Sequence, residues 1–350
     1  MLNKINTNFY LKLDNSSKYF AIKIDGKQDY YVNKDRAFLP ISDKNILLYC
    51  PFLNRKWYKI LIYTIFLSFT LLSQANAKIN IFTCEPEWKA LAQEIATDNA
   101  IIFSATNSKQ DPHHIRAKPS LIAKIRRADL LICSGAELEI GWLPILLEKA
   151  KSDLQKNAIG NIMVADYVKT IQKPTKLDRS LGDLHPYGNP HTHLNPNNIL
   201  IIAKIIKERL QKIDIKNNNI YQNNYDKFLK RWQKSMKKWQ KEAKKLQNIN
   251  IIAHHKSFSY LFQWLKINEI AHLEPKEGIN PTIRHLKNIL DLTKKEKIRF
   301  IIRASHEQEE ASNWLSSKSG IATLILPFTV NESESLFDLF DNIIANLNNS

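Results

Sequence analysis

The sequence predicts an α/β protein of two lobes, each a mostly parallel sheet flanked by helices, and three observations predict it. Short apolar runs alternate with stretches of helical periodicity from Ile79 to about residue 133, and again after Asn248. Strands separated by helices pair in parallel through right-handed crossovers. Between the two alternations lies one long amphipathic stretch, 217–247. At 350 residues and 44% hydrophobic, the chain is also too long for one small core and too apolar to be disordered.

From the N-terminus, residues 1–54 carry no histidine, no metal-ligand cluster and no glycine-rich loop, and we expect an extension or a start placed too early. Arg55-Lys56-Trp57-Tyr58-Lys59, the apolar run Ile60 to Leu72 and Ser73-Gln74-Ala75-Asn76-Ala77 then follow the order of a secretory signal: basic, apolar, small-residue end. The run is shorter than the ~20 residues of a comfortable membrane span. Cleavage after Ala77 is the expectation for 55–77, with an uncleaved anchor as its rival. Signals normally open a chain, and the late position of this one is the reason for doubting the start.

The first lobe is expected over 78–216, with strand 79–83, helix 86–97, strand 100–104, helix 119–127 and strand 128–133. Ligands in such a sheet belong at the carboxyl ends of the strands. In 217–247, Tyr221, Tyr225, Phe228, Trp232, Trp239 and Leu246 recur at helical spacing while Lys and Arg fill the other faces, which reads as a helix on the order of 40 Å long. The second lobe, 248–350, reads as strand 249–253, helices 257–265 and 281–294, strand 298–302, helix 308–318, strand 322–326 and a closing helix 334–347. Cys84 and Cys133 each end an apolar strand. They are either bridged across neighbouring strands or two small buried side chains, and spacing leaves both open.

The net charge of +17 invites a nucleic-acid reading. Residues 78–350 keep an excess of +11, 40 basic against 29 acidic side chains. An exported protein meets little nucleic acid and no recognition motif is present, so the lysines read as a solvated helix face.

All ten histidines lie beyond residue 78, and six of them form pairs at transitions between elements: Asp111-Pro112-His113-His114, Pro190-His191-Thr192-His193 and Ala253-His254-His255. Neutral imidazole is the commonest side-chain ligand for zinc and similar ions. No pair has the spacing of a finger or a helix-borne metallopeptidase site, so ligands have to converge from distant loops, as at a cleft between two lobes.

Cys84-Glu85-Pro86-Glu87-Trp88, Gln110-Asp111-Pro112-His113-His114 with Pro119-Ser120, Ala128-Asp129-Leu130 running into Gly135-Ala136-Glu137-Leu138-Glu139, Gly188-Asn189-Pro190-His191 and His255-Lys256-Ser257-Phe258-Ser259-Tyr260 resemble, in that order, the zinc/manganese family of ABC-transporter solute-binding proteins. The resemblance spans residues 79–347. It implies two α/β lobes joined by one rigid helix, a metal site in the cleft between them, and a non-catalytic, monomeric periplasmic protein that hands its ion to an ABC permease and its ATPase. Contact with the membrane is then expected only through that permease, and export together with the missing recognition motif leaves nucleic acid out of the expected partners.

The family's three histidine ligands fall on His113, His191 and His255. Histidine at the third of these implies Zn2+, with Mn2+ the alternative ion. The family's acidic fourth ligand follows the strand matching 298–302, but here Ala304 takes the expected place, in Ile302-Arg303-Ala304-Ser305-His306-Glu307. Glu307, His306 or water is left to complete the site. The long acidic and histidine-rich loop of many zinc members is missing; 172–187 offers only Asp178, Asp183 and His185, the last as an auxiliary ligand. His114, His193 and His254 are expected outside the coordination sphere, and His272 and His285 as ordinary surface or interlobe residues.

The rival function is a secreted zinc-dependent hydrolase, because three histidines and a water also make a catalytic site. It needs a general base beside that water. Glu307 is the nearest candidate by sequence, but no substrate-orienting motif accompanies it.

Overall fold

A computed structural model describes residues 10–12, 19–24, 28–33, 78–175 and 185–349. The export segment expected at 55–77, Asp178 and Asp183 lie outside the described residues. The chain divides into two units, Met1–Asn76 and Ala77–Ser350. The first holds an antiparallel sheet of β1 (Tyr10–Lys12), β2 (Tyr19–Ile24) and β3 (Gln28–Asn33), within the stretch expected as an extension.

The second unit contains two four-stranded parallel sheets. The first consists of β4 (Ile79–Thr83), β5 (Ala100–Ser104), β6 (Leu130–Cys133) and β7 (Asn161–Met163), in the order β5-β4-β6-β7. The second consists of β8 (Asn250–Ala253), β9 (Asn268–His272), β10 (Ile298–Ala304) and β11 (Thr323–Leu326), in the order β11-β10-β8-β9. Strands such as Leu130-Leu131-Ile132-Cys133 are buried throughout. Parallel sheets are covered on both faces, so their strands read as unbroken apolar runs. The sheet order reverses between β4 and β6 and between β8 and β10, and the carboxyl ends at such reversals open a crevice.

Helices α1 (Pro86–Ala96), α2 (Pro119–Ile125), α3 (Leu143–Leu147) and α4 (Pro196–Ile213) accompany the first sheet in sequence. Proline opens α1, where no backbone N–H is needed, and Trp88, Leu91, Ala92 and Ile95 are buried at one-face spacing. After α5 (Asn218–Glu242) come α6 (Ser259–Leu265), α7 (Ile283–Lys295), α8 (Glu310–Ser319) and α9 (Leu336–Asn349). The long helix expected over 217–247 is present as α5, Asn218–Glu242. Its last turn, Ala243–Leu246, tightens to a 3-10 helix, as helix ends often do.

The aromatic stripe of α5 packs inward. Trp232 stacks on Phe228 at 5.4 Å and meets Trp239, Phe337 and Phe340 edge-on at 5.1, 5.0 and 5.5 Å. Its indole N–H donates to the Pro196 carbonyl at 2.9 Å, so the buried ring leaves no polar atom unpaired. One apolar cluster thereby runs from Ile81 and Ile132 of the first sheet, through Ile202, Ile206, Trp232 and Trp239, to Ile251 and Ile302 of the second. Of the two readings of the cysteines the structure takes the bridge, a Cys84–Cys133 disulfide with Cα atoms 4.8 Å apart between β4 and β6.

Candidate metal centre

His113 enters the cleft from the β5–β6 connection, His191 from the segment before α4, and His255 from the end of β8. One ring nitrogen from each lies within 4.8 Å of the other two. The ring centroids are 5.6 Å apart for His113 and His191, 5.6 Å for His191 and His255, and 6.1 Å for His113 and His255.

Each ring is held by its local sequence. Asp111 caps the 3-10 turn Pro112–His114: its Oδ1 accepts from the His113 backbone N–H at 2.9 Å and from His113 Nδ1 at 2.7 Å. Burial works against the Asp111 charge, but the hydrogen bonds to His113 outweigh it and leave the carboxyl far below its ordinary range. A carboxylate can only accept, so His113 carries its proton on Nδ1 and presents a bare Nε2. His255 repeats the device, donating from Nδ1 to Glu274 Oε2 at 2.7 Å. Metal-binding histidines are commonly oriented by such a carboxylate.

His191 is nearly fully buried, and neither of its ring nitrogens has a hydrogen-bond partner among the described residues. Burial, reinforced by the neighbouring histidines, holds its pKa well below the usual value. An orphaned, neutral, buried imidazole facing two others suits a cation.

Asn189 ties the strands of this arrangement together. Its Oδ1 accepts from the His191 N–H at 2.9 Å, and its Nδ2 donates to the Lys256 carbonyl, next to His255, at 2.8 Å. Tyr260 Oη donates to the Asn189 carbonyl at 2.8 Å and accepts from the Ile171 N–H at 3.2 Å.

His185, read as an auxiliary, is buried beside His113, with the two Nε2 atoms 3.2 Å apart. Glu307 is engaged elsewhere: Oε1 accepts from Ser257 Oγ at 2.6 Å and Oε2 from the Ala304 N–H at 2.7 Å. His306 packs its ring on Phe328 at 5.1 Å. His114 is exposed. His254 is buried 3.8 Å from Glu274, and His193 is buried between Glu87 Oε1 at 3.2 Å and the Phe328 carbonyl at 2.9 Å. His272 lies 3.1 Å from Glu269, and His285 donates to the His272 carbonyl. Sequence reasoning missed Glu274, Asn189 and the anchoring role of Asp111. Only Asp111, two residues before His113, carried a local signal.

Residues 81–349 match the family described as zinc-uptake complex component A, periplasmic. The zinc-binding lipoprotein AdcA of Streptococcus pneumoniae is 22% identical over 255 residues, covering 72% of this chain and 50% of that protein. The manganese ABC transporter substrate-binding lipoprotein PsaA of the same species is 30% identical over 141 residues, 39% of this chain and 43% of that one. The chain spans about half the length of the curated relatives it matches first. In fold it is similar to the crystal structure of ZnuA, with a TM-score of 0.66 at 19% identity over 78% of this chain and 99% of that one.

Proposed function

We propose, from the premise that this chain belongs to the zinc-uptake complex component A family, that it is the solute-binding component of a metal-ion ABC importer and that the ion it captures is Zn2+. The family is one of non-catalytic solute-binding proteins. The observation that carries the reading is the convergence of His113, His191 and His255 from three distant segments to within 4.8 Å. The ion is cargo, taken up in the cleft and released to a permease served by an ATPase. The export segment 55–77, lobes over 78–216 and 248–350, the linking helix 217–247 and a monomeric state belong to the same proposal.

The choice of zinc rests on donor chemistry. AdcA is named for zinc and PsaA for manganese, so kinship alone does not choose. Neutral nitrogen donors suit a borderline-soft ion that accepts four-coordinate geometry, whereas manganese favours a larger, oxygen-rich shell. Each Glu307 oxygen already accepts a hydrogen bond, from Ser257 Oγ and from the Ala304 N–H.

Calorimetric titration of metal-free protein tests both parts. We expect one divalent site per chain, zinc displacing manganese in competition, and protons released increasingly as the pH is lowered, because imidazole must be deprotonated to bind. Absence of any site tighter than micromolar overturns the capture reading. Manganese winning the competition overturns the ion.

A further inference from the structure

We infer that His185 is the fourth ligand, so that the captured ion sits in a tetrahedron of four imidazoles. The inference rests on the proposal that the cleft takes a divalent ion, and deepens it by naming the donor that Ala304 does not supply.

The geometry is specific. With Zn–N bonds of about 2.0–2.1 Å, two ligand atoms of a tetrahedron stand about 3.3 Å apart. His113 Nε2 and His185 Nε2 are 3.2 Å apart. What faces what across that gap matters more. His113 Nδ1 donates to the Asp111 carboxylate, and His185 Nδ1 lies 3.1 Å from the Ala136 carbonyl, to which it can only donate. Both rings therefore carry their proton on Nδ1, and two bare lone pairs point at each other inside hydrogen-bond distance. That contact is repulsive unless a positive charge lies between them. A divalent ion held by His113, His191 and His255 removes the repulsion once the His185 ring, which here contacts only His113 of the three, turns in to meet it.

The chain also builds His185 into place. Gly188 N–H donates to the His185 carbonyl at 3.0 Å, closing a turn over His185–Gly188. Thr170 Oγ1 donates to the Tyr187 carbonyl at 2.6 Å, stitching that turn to the 170–171 segment. Gly188 has φ +99°, and a Cβ there would stand 2.7 Å from the Ile171 carbonyl oxygen, so only glycine fits. Of the rival donors, Glu307 has both oxygens hydrogen-bonded, and His306 packs its ring on Phe328 with its Nδ1 buried and unpartnered among the described residues, which makes it the competitor the experiment has to separate from His185. Four neutral imidazoles leave the ion's two charges to Asp111 and Glu274, each one hydrogen bond behind a ligand, so the site is balanced without a carboxylate on the metal.

X-ray absorption on the zinc-loaded full chain counts imidazoles directly. We expect four nitrogen donors in the wild type and three plus a light-atom replacement in His185→Ala, with zinc affinity about tenfold or more weaker, ~1.4 kcal/mol per decade. His306→Ala should leave both count and affinity unchanged. Three imidazoles in the wild type, or a His185→Ala protein that titrates like the wild type, overturns the inference while capture stands. A wild type that binds no zinc overturns the capture reading itself. Loss of a donor in His306→Ala instead assigns the fourth place to His306 and also overturns it. If His185→Ala does not fold, the wild-type count together with His306→Ala still decides.

Discussion

Two of the imidazoles in the cleft owe their orientation to carboxylates that sequence distance hides to different degrees. Asp111 is two residues from His113 and could be suspected beforehand; Glu274 is nineteen from His255 and meets it only because β8 and β9 pair in parallel and end together. The histidines themselves were legible because they come in pairs beside proline or a strand end, but which member of a pair faces inward was not, since backbone geometry decides it. Asp111→Ala and Glu274→Gln should each weaken zinc binding by roughly 10- to 100-fold, the usual cost of losing a partner that orients a metal-binding histidine. Competition against a chromophoric chelator measures it, and unchanged affinity in both variants would detach these carboxylates from the site. Protonation carries a second expectation. Burial holds His185 at about 4 and His191 well below the ordinary histidine value. As pH falls through ~6.5 the unfolded chain takes up protons before these folded rings do, so they make the metal-free protein less stable from there toward pH 4. His255 runs the other way: burial lowers its pKa, but the Glu274 hydrogen bond and charge raise it above the ordinary value, adding stability present in acid and lost as pH rises through its folded value. His306 is shifted down with them, whereas burial raises Glu85 and Glu139, which side with His255 in favouring the folded state in acid. The contribution is therefore read by difference: in metal-free protein, His185→Ala should gain Tm at pH 5 relative to pH 7.5 compared with the wild type, and an unchanged difference contradicts it.

Among elements, those with a clean period were readable and those without were not. The strands at 79–83 and 100–104 match their expected bounds, the first because a strand covered on both faces is one apolar run, the second because its sequence is apolar although β5 lies at the sheet edge with Ile101 exposed. Edge strands β7 and β9 escaped notice. Asn268-Glu269-Ile270-Ala271-His272 is only half-buried and has no apolar alternation to betray it. Helix α4 was passed over although Ile199, Ile202, Ala203, Ile206 and Leu210 mark one buried face and Asn195 caps its start, accepting from the Asn197 N–H. Its signal stood beside the stronger aromatic stripe of α5. That stripe makes a definite claim about energetics: Trp232 is fully buried among four aromatic rings and anchors α5 to the start of α4 through the Pro196 carbonyl. Trp232→Ala should cost about 3–5 kcal/mol, transfer and cavity terms together. Urea unfolding reads that directly, and a loss below about 1 kcal/mol would mean the helix is held by something other than this stack.

At the scale of the whole second unit, two sheets separated in sequence share one apolar cluster, and the candidate ligands are distributed over both. His113 belongs to the first sheet's connections, His255 to the end of β8, and Asn189 bonds the segments carrying His191 and His255 to each other. A lobed protein whose halves met only through a hinge would unfold in steps. Here the path Ile132, Ile206, Trp232, Ile251 is continuous and fully buried, so opening one half exposes core of the other. We therefore expect residues 78–350 to unfold in a single calorimetric transition. Zinc should raise that transition as a whole, because an ion bound across both sheets favours only the state in which both are folded. At a free zinc concentration a thousandfold above Kd the gain is about 4.1 kcal/mol. At roughly 2–4 °C per kcal/mol for a domain of this size, that moves Tm by about 10 °C. Two transitions, with zinc moving only one of them, would place the ion within a single lobe and separate the cleft from the shared core.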